Sequence, residues 1–136
     1  MNFELNDEQL ALQDSLQRVL ADRYGFEQRR ALAGGTARHA GGTWRPPAEL
    51  GGTALLVPEA HGGFAGGARD LLPVMQALGA ALSLEPFLGS SVLGVSALRL
   101  AADPRLQERL LPGVAAGDTR LRGGPAGTPG PQAAPR

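Results

Sequence analysis

The pattern that most constrains the fold is an amphipathic helix signature near the N-terminus, in "LNDEQLALQDSLQRVLADRY". Asn6 suits an N-cap, and Gln9 follows three residues later, as in a capping box. Asp7 and Glu8 suit the positive end of a helix dipole. Large apolar side chains recur at helical spacing and form one stripe: Leu12, Leu16, Val19, Leu20 and Tyr24. The segment therefore predicts a surface helix whose stripe other elements must cover.

The middle of the chain indicates further helices separated by glycine. A Gly/Thr loop is expected over residues 34–43, followed by a short helix over residues 47–50 that ends at two glycines. The apolar run "ALLV" after it is too short to decide between strand and helix. Beyond a glycine-rich loop, Asp70 is expected to cap a helix with Pro73 in its first turn. That helix, "LLPVMQALGAALSL", is apolar on nearly every side, which indicates a buried position.

Two more helices are expected before the character of the chain changes. One restarts at Pro86 in "EPFLGSSVLGVSALRLAA", and the other begins at the cap pair Asp103 and Pro104 and ends near Gly117. The fold class is therefore all-α, with about five to six helices in an orthogonal or bundle-like domain over residues 1–120. Residues 121–136, "LRGGPAGTPGPQAAPR", hold four glycines, four prolines and one large apolar side chain, and are expected to be a disordered tail.

Composition favours a soluble protein of the reducing cytoplasm. The 136 residues allow one domain, and 13 acidic side chains balance 13 basic ones, all of them arginine. Neither nucleic acid nor an anionic membrane is therefore indicated as a partner. Cysteine is absent, which excludes disulfides and thiolate chemistry and is compatible with the cytoplasm. The acidic N-terminus has no signal-peptide pattern, and no apolar run has the length of a membrane span.

The glycine-rich stretch "VPEAHGGFAGGARD" invites a comparison with phosphate-binding loops. Its glycines at positions 62, 63, 66 and 67 do not give the spacing G-x-G-x-x-G, and no Gly-Lys-Ser/Thr follows them. The stretch is interpreted as a connection leading into a capped helix. Backbone N–H groups at that helix start remain an alternative site for an anion.

Residues of other catalytic and metal chemistries are present but not in suitable patterns. His39 and His61 lie in separate predicted loops without a partner at ligand spacing, so no metal site is expected. None of the serines lies in a G-x-S-x-G turn, which gives no support for a serine nucleophile. Glu59 and His61 form an acid–base pair only if their loop folds back. No catalytic residue is therefore assigned.

Taken in order, these segments resemble the N-terminal helical domain of the acyl-CoA dehydrogenases. The resemblance rests on "LNDEQLALQDSLQRVLADRY", on "AELGGTALLVPEAHGGFAGGARDLLPVMQALGAALSLEPFLGSSVLG" and on "LLPGVAAGD", and covers about residues 1–120. The stretch "ADRYGFEQRRALAGG" is most similar to the small subunits of pimeloyl-CoA dehydrogenase-like enzymes. Pro46 and Pro47 depart from the family pattern and are expected to interrupt the helix at this point.

The resemblance implies part of an FAD-dependent oxidoreductase of fatty acid β-oxidation, which converts acyl-CoA to 2,3-enoyl-CoA and passes electrons to an electron-transfer flavoprotein. In the family the base and most flavin contacts belong to a later β-barrel and helical bundle. The helix matching "PFLGSSVLG" approaches the acyl tail, so Gly89, Ser90 and Leu93 are the candidate substrate-binding residues. Helix packing through small side chains is the competing interpretation of these residues.

The resemblance also implies a barrel strand after "AAGDTR", where this sequence continues with the Gly/Pro-rich tail. A frameshift in a GC-rich gene, or a fragmentary gene model, would produce such a tail. We accordingly expect the chain to bind no FAD and to be inactive alone. A larger dehydrogenase subunit or a second copy of the chain is the expected protein partner. The alternative function is a non-catalytic module that docks on another dehydrogenase subunit.

Overall fold

The structure, a computed structural model, describes residues 4–34, 41–101 and 103–122. The α-helices within these ranges are α1 (Asp7–Arg23), α2 (Phe26–Ala33), α3 (Gly41–Glu49), α4 (Ala68–Ala80), α5 (Val95–Ala101) and α6 (Pro104–Ala115). A π-helical segment, Leu88–Gly94, leads into α5, and short 3₁₀ turns occupy Gly52–Ala54 and Glu59–His61. No strand occurs in the described ranges, and the all-α prediction is confirmed. His39 and residues 123–136 of the predicted tail lie outside them.

Helix α1 begins as its sequence predicts. The Asn6 side chain accepts a hydrogen bond from the Gln9 backbone N–H at 2.8 Å, and the Gln9 side chain accepts one from the Asn6 N–H at 3.0 Å. Two donors that a helix start leaves unpaired are thereby satisfied. None of the helices within the described ranges has the length and apolar character needed to cross a membrane.

The core consists of two apolar clusters that meet. The first joins α1, α3 and α4 and contains Leu16, Leu20, Tyr24, Trp44, Val74, Ala77, Leu78 and Phe87. The second joins α5, α6 and the turn after α3 and contains Leu56, Val57, Val95, Leu111 and Val114. Leu71 and Val92 pack against both clusters. The stripe of α1 is thus covered by α3 and α4, as an amphipathic helix requires.

Helices α2 and α3 differ from the sequence-based expectation. Helix α2 was not predicted, and it has no buried residue. Helix α3 begins at Gly41, inside the predicted loop over residues 34–43, and continues through Pro46 and Pro47 instead of being interrupted by them. Each proline removes one helical hydrogen bond. Trp44 and both prolines are fully buried, and this packing compensates for the lost bonds.

Between α3 and α4 the structure differs from the sequence-based expectation in two further ways. The run "ALLV" is neither strand nor regular helix, because Ala54 ends a 3₁₀ turn and residues 55–57 form further turns. Helix α4 begins at Ala68 with Gly67, not Asp70, at its N-cap, and Pro73 lies beyond the first turn. Asp70 is the third residue of the helix, and its side chain accepts a hydrogen bond from the Gly67 N–H. The helix also keeps an exposed side, at Gln76, Gly79 and Ala80. Two of these three residues are small, so their exposure leaves little apolar area in water.

The chain after α6 forms a strap, residues 116–121, that contacts α3 and the π-helical segment. Helix α6 starts as predicted, with the Asp103 side chain accepting from the Arg105 N–H at 2.8 Å, and it ends before Gly117, whose φ is +79°. At the end of α6, the Ala115 carbonyl accepts a hydrogen bond from the Thr53 hydroxyl at 3.0 Å. Leu121, which the sequence assigns to the tail, packs against the second cluster.

Candidate functional site

The candidate acyl-binding residues lie on the π-helical segment that precedes α5. It covers Leu88–Gly94 and follows Pro86, where the sequence predicts a helix start. A π-helical turn is wider than an α-helical turn, and such turns are frequent at functional sites. The sequence predicted the helix but gave no signal for its π-helical geometry.

Gly89 and Leu93 lie on the exposed surface of this segment. A Cβ atom built on Gly89 would meet no atom within 4 Å, so the space beside its backbone is open. The side chain of Leu93 is 61% exposed, and Leu88, next to Gly89, is 51% exposed. Residues four apart on a helix are neighbours on its surface. Gly89 and Leu93 therefore form an apolar surface with an open position beside it.

Ser90 and Ser91 are buried. The Ser90 hydroxyl accepts a hydrogen bond from the Leu121 backbone N–H at 2.8 Å, which fixes the end of the strap to the π-helical segment. A Cβ atom on Gly94 would lie 2.7 Å from the Leu121 side chain, so Leu121 also packs closely here. Within the described part of the chain, the Ser91 hydroxyl has no hydrogen-bond partner. Ser90 is therefore buried, whereas Gly89 and Leu93 are exposed.

A shallow apolar cavity of about 310 Å³ adjoins this surface at Leu88. It lies where the end of α4 meets the start of the π-helical segment, and Met75, Leu78, Leu82 and Phe87 contribute to its wall. Leu82 is 67% exposed, and its φ of +49° is uncommon for a residue other than glycine. The cavity and the exposed leucines suit an acyl chain or an apolar protein surface.

The start of α4 does not provide the anion site that the sequence left open. The Asp70 carboxylate accepts from the Gly67 backbone N–H at 2.8 Å and from the Gln9 side-chain amide at 3.0 Å. These hydrogen bonds, first the one from Gly67, lower the pKa of Asp70 below its ordinary value of 3.8. The helix start is thus occupied by the chain's own carboxylate.

The loop that carries Glu59 and His61 is held by backbone hydrogen bonds. The His61 N–H donates to the Pro58 carbonyl at 2.9 Å, and the Gly62 N–H donates to the Glu59 carbonyl at 3.0 Å. The Glu59 side chain is exposed. Within the described residues, no hydrogen bond or ion pair joins the Glu59 and His61 side chains.

The sequence did not indicate the residues that hold the site through contacts between distant positions in the chain. Leu121 contacts Ser90 across 31 residues of sequence, and Trp44 contacts Gly117 across 73. Contacts between residues so far apart in sequence leave no periodic pattern.

Comparison with known proteins identifies the domain. The family model described as the acyl-CoA dehydrogenase N-terminal domain matches residues 6–118. Searches of the curated proteins and of the solved structures gave no match.

Proposed function

Because this chain belongs to the acyl-CoA dehydrogenase family through its N-terminal domain, we propose that it supplies this domain to an FAD-dependent enzyme that oxidises acyl-CoA to 2,3-enoyl-CoA. The match over residues 6–118 is the observation that carries the proposal. The enzyme would act in the cytoplasm, which the absence of cysteine permits. An electron-transfer flavoprotein would take up its electrons.

In this enzyme Gly89 and Leu93 would contact the acyl tail, and Ser90 would hold their segment in place. The open space beside Gly89 and the 61% exposure of Leu93 support the first part. The buried hydrogen bond between Ser90 and Leu121 supports the second. Because Gly89 lacks a side chain, the acyl chain could approach the helix backbone closely at this position.

The flavin and the catalytic base would come from other polypeptide segments. At the helix start that most resembles a phosphate-binding arrangement, the Gly67 N–H already donates to the Asp70 carboxylate. We therefore expect the purified chain to bind no FAD and to catalyse no oxidation alone. A larger acyl-CoA dehydrogenase subunit would complete the site.

The second candidate function is a docking module without a catalytic contribution. Five leucines between the end of α4 and the end of α5 are more than half exposed: Leu82, Leu84, Leu88, Leu93 and Leu100. Exposed apolar side chains of this number suit a protein interface. Both candidates predict association with another dehydrogenase subunit or with a second copy, but only the first predicts an effect on acyl-chain preference.

The test is co-expression of the full chain with candidate large subunits from the same genome, followed by an acyl-CoA oxidation assay with an artificial electron acceptor. The first proposal predicts activity only for the complex, and it predicts that Gly89→Leu shifts the preference toward shorter acyl chains. A matched substitution, Gly67→Leu, fills an equally open position at the start of α4, outside the cavity beside Leu88, and is expected to leave the preference unchanged.

Two results would decide against the first proposal. An active complex whose chain-length preference is the same with Gly89→Leu would favour the docking module. A flavin absorbance band and turnover from the purified chain alone would show that the chain holds its own cofactor and base.

A further inference from the structure

A groove near the start of α4 has the chemistry of a cation site. It has a volume of about 380 Å³ and lies between α1, the end of α3 and the glycine loop. Leu12, Leu50 and Leu55 provide its apolar wall, and Glu8 and Asp70 provide two carboxylates. None of the described residues that line it is basic.

The aromatic ring at this groove is held in an exposed position. Phe64 is 62% exposed although its backbone N–H donates to the Ala54 carbonyl at 3.1 Å. The ring lies beside the Gly51 backbone, where a Cβ atom would be 3.0 Å from a ring carbon. The hydrogen bond to Ala54 holds the Phe64 backbone, and the contact with Gly51 keeps the ring beside the groove.

The residue after Phe64 has a strained backbone conformation. Ala65 has a φ of +50°, which is unfavourable for alanine, and its N–H donates to the Val57 carbonyl at 2.9 Å. Gly66 follows with a hydrogen bond of 2.6 Å to the Leu55 carbonyl. Strained conformations of this kind concentrate at binding sites, where surrounding contacts hold them.

The Asp70 carboxylate is oriented and ionised at the edge of the groove. Each of its two oxygens accepts one hydrogen bond, from Gln9 or from Gly67, and a carboxylate oxygen can accept a second. The neighbouring Arg69 guanidinium donates to the Glu4 backbone carbonyl at 3.3 Å, and its charge, after the hydrogen bonds from Gly67 and Gln9, also lowers the pKa of Asp70.

We propose that this groove binds the guanidinium group of an arginine side chain presented by a partner polypeptide. A guanidinium stacks on an aromatic face and donates forked hydrogen bonds to carboxylates, while its methylene stem packs on apolar side chains. The groove supplies all three features. The Phe64 ring is the aromatic face, Asp70 and Glu8 are the carboxylates, and the three leucines are the apolar side chains. The site is independent of the acyl surface and of any flavin.

The test uses the full chain labelled with ¹⁵N and a short probe peptide, N-acetyl-Gly-Arg-Gly-amide, followed by NMR. We expect saturable shifts of the Gly51, Phe64 and Asp70 amide signals, with a Kd on the order of millimolar for a single anchored residue. The matching citrulline peptide has the same shape without the charge and is expected to produce no saturable shifts. Raising the salt concentration should weaken the binding.

Variants matched for exposure make the test specific. Phe64→Ala should weaken binding about two- to fivefold, whereas Phe26→Ala, at a phenylalanine that is 65% exposed and distant from the groove, should not. Glu8→Gln should weaken it by a similar factor, and Glu108→Gln, at an exposed glutamate on α6, should leave it unchanged.

Three results would overturn the proposal. One is equal binding of the arginine and citrulline peptides. A second is a set of shifts spread over all acidic surfaces without saturation. The third is an unchanged Kd in both Phe64→Ala and Glu8→Gln. None of these results depends on whether the chain supports acyl-CoA oxidation, so the two proposals fail separately.

Discussion

The indole N–H of Trp44 donates a hydrogen bond of 2.9 Å to the backbone carbonyl of Gly117, which joins α3 to the strap. Trp44 is the single tryptophan of the chain and is 1% exposed. The Arg120 guanidinium lies 5.1 Å from the centre of its ring, within the range of a cation–π interaction. One side chain therefore fixes two positions of the strap.

We expect Trp44→Phe to lower the free energy of unfolding by about 1–3 kcal/mol, because the Gly117 carbonyl loses its buried donor. Urea denaturation followed by circular dichroism measures the change. Arg120→Gln removes only the cation–π contact and should cost about 0.5–1 kcal/mol. Equal stability of Trp44→Phe and the parent chain would mean that the strap is not held at this point.

Alanine substitutions at the two adjacent serines of the π-helical segment should change the free energy of unfolding differently. Ser90→Ala removes the acceptor of the Leu121 N–H and should cost about 1 kcal/mol in unfolding free energy. Ser91→Ala removes a buried hydroxyl without a partner in the described structure, so it should be neutral or stabilising. Denaturation of the two variants side by side checks the placement of both hydroxyls. A larger loss for Ser91→Ala would contradict it.

Gly63 is expected to tolerate no side chain. A Cβ atom there would overlap with the Val57 carbonyl, so Gly63→Ala should destabilise the chain by about 1–3 kcal/mol. Gly79, on α4, has open space around it, and Gly79→Ala should stabilise the chain by about 0.5–1 kcal/mol through helix propensity. Melting temperatures of both variants test the contrast, and a stable Gly63→Ala protein would show that the loop repacks.

Local interactions are the part of this fold that the sequence predicts well. The Asn6 and Gln9 capping box, the Asp103 cap and the stripe of α1 depend on residues within one or two helical turns. The same holds for the all-α class, which follows from repeated helical spacing. Where local preference and tertiary packing disagree, packing decides: α3 continues through Pro46 and Pro47 because both are buried.

The candidate site was less predictable because its arrangement depends on contacts between distant segments. The small-residue pattern of "FLGSSVLG" led to Gly89, which has open space beside its backbone, and its contact with an acyl chain stays a prediction. It could not separate the exposed Leu93 from the buried Ser90, since that depends on Leu121 and on the π-helical geometry. Phe64 was not among the candidate residues because its position depends on the hydrogen bond from its backbone N–H to the Ala54 carbonyl, which lies in a different turn.

Asp70 should make the stability of the chain depend on pH in the acidic range. Its pKa in the folded chain is lowered, first by the hydrogen bond from Gly67 and then by the one from Gln9. The stabilisation is therefore fully present above the ordinary pKa of 3.8 and is lost as the pH falls through the lower folded value. Asp70→Asn should be less stable than the parent chain at neutral pH, and the difference should shrink from about pH 5 downward. Urea denaturation at a series of pH values measures this difference, with Asp14→Asn on the exposed side of α1 as the charge-matched control. A difference between Asp70→Asn and the parent that stays constant into strong acid would mean that these hydrogen bonds do not stabilise the ionised carboxylate.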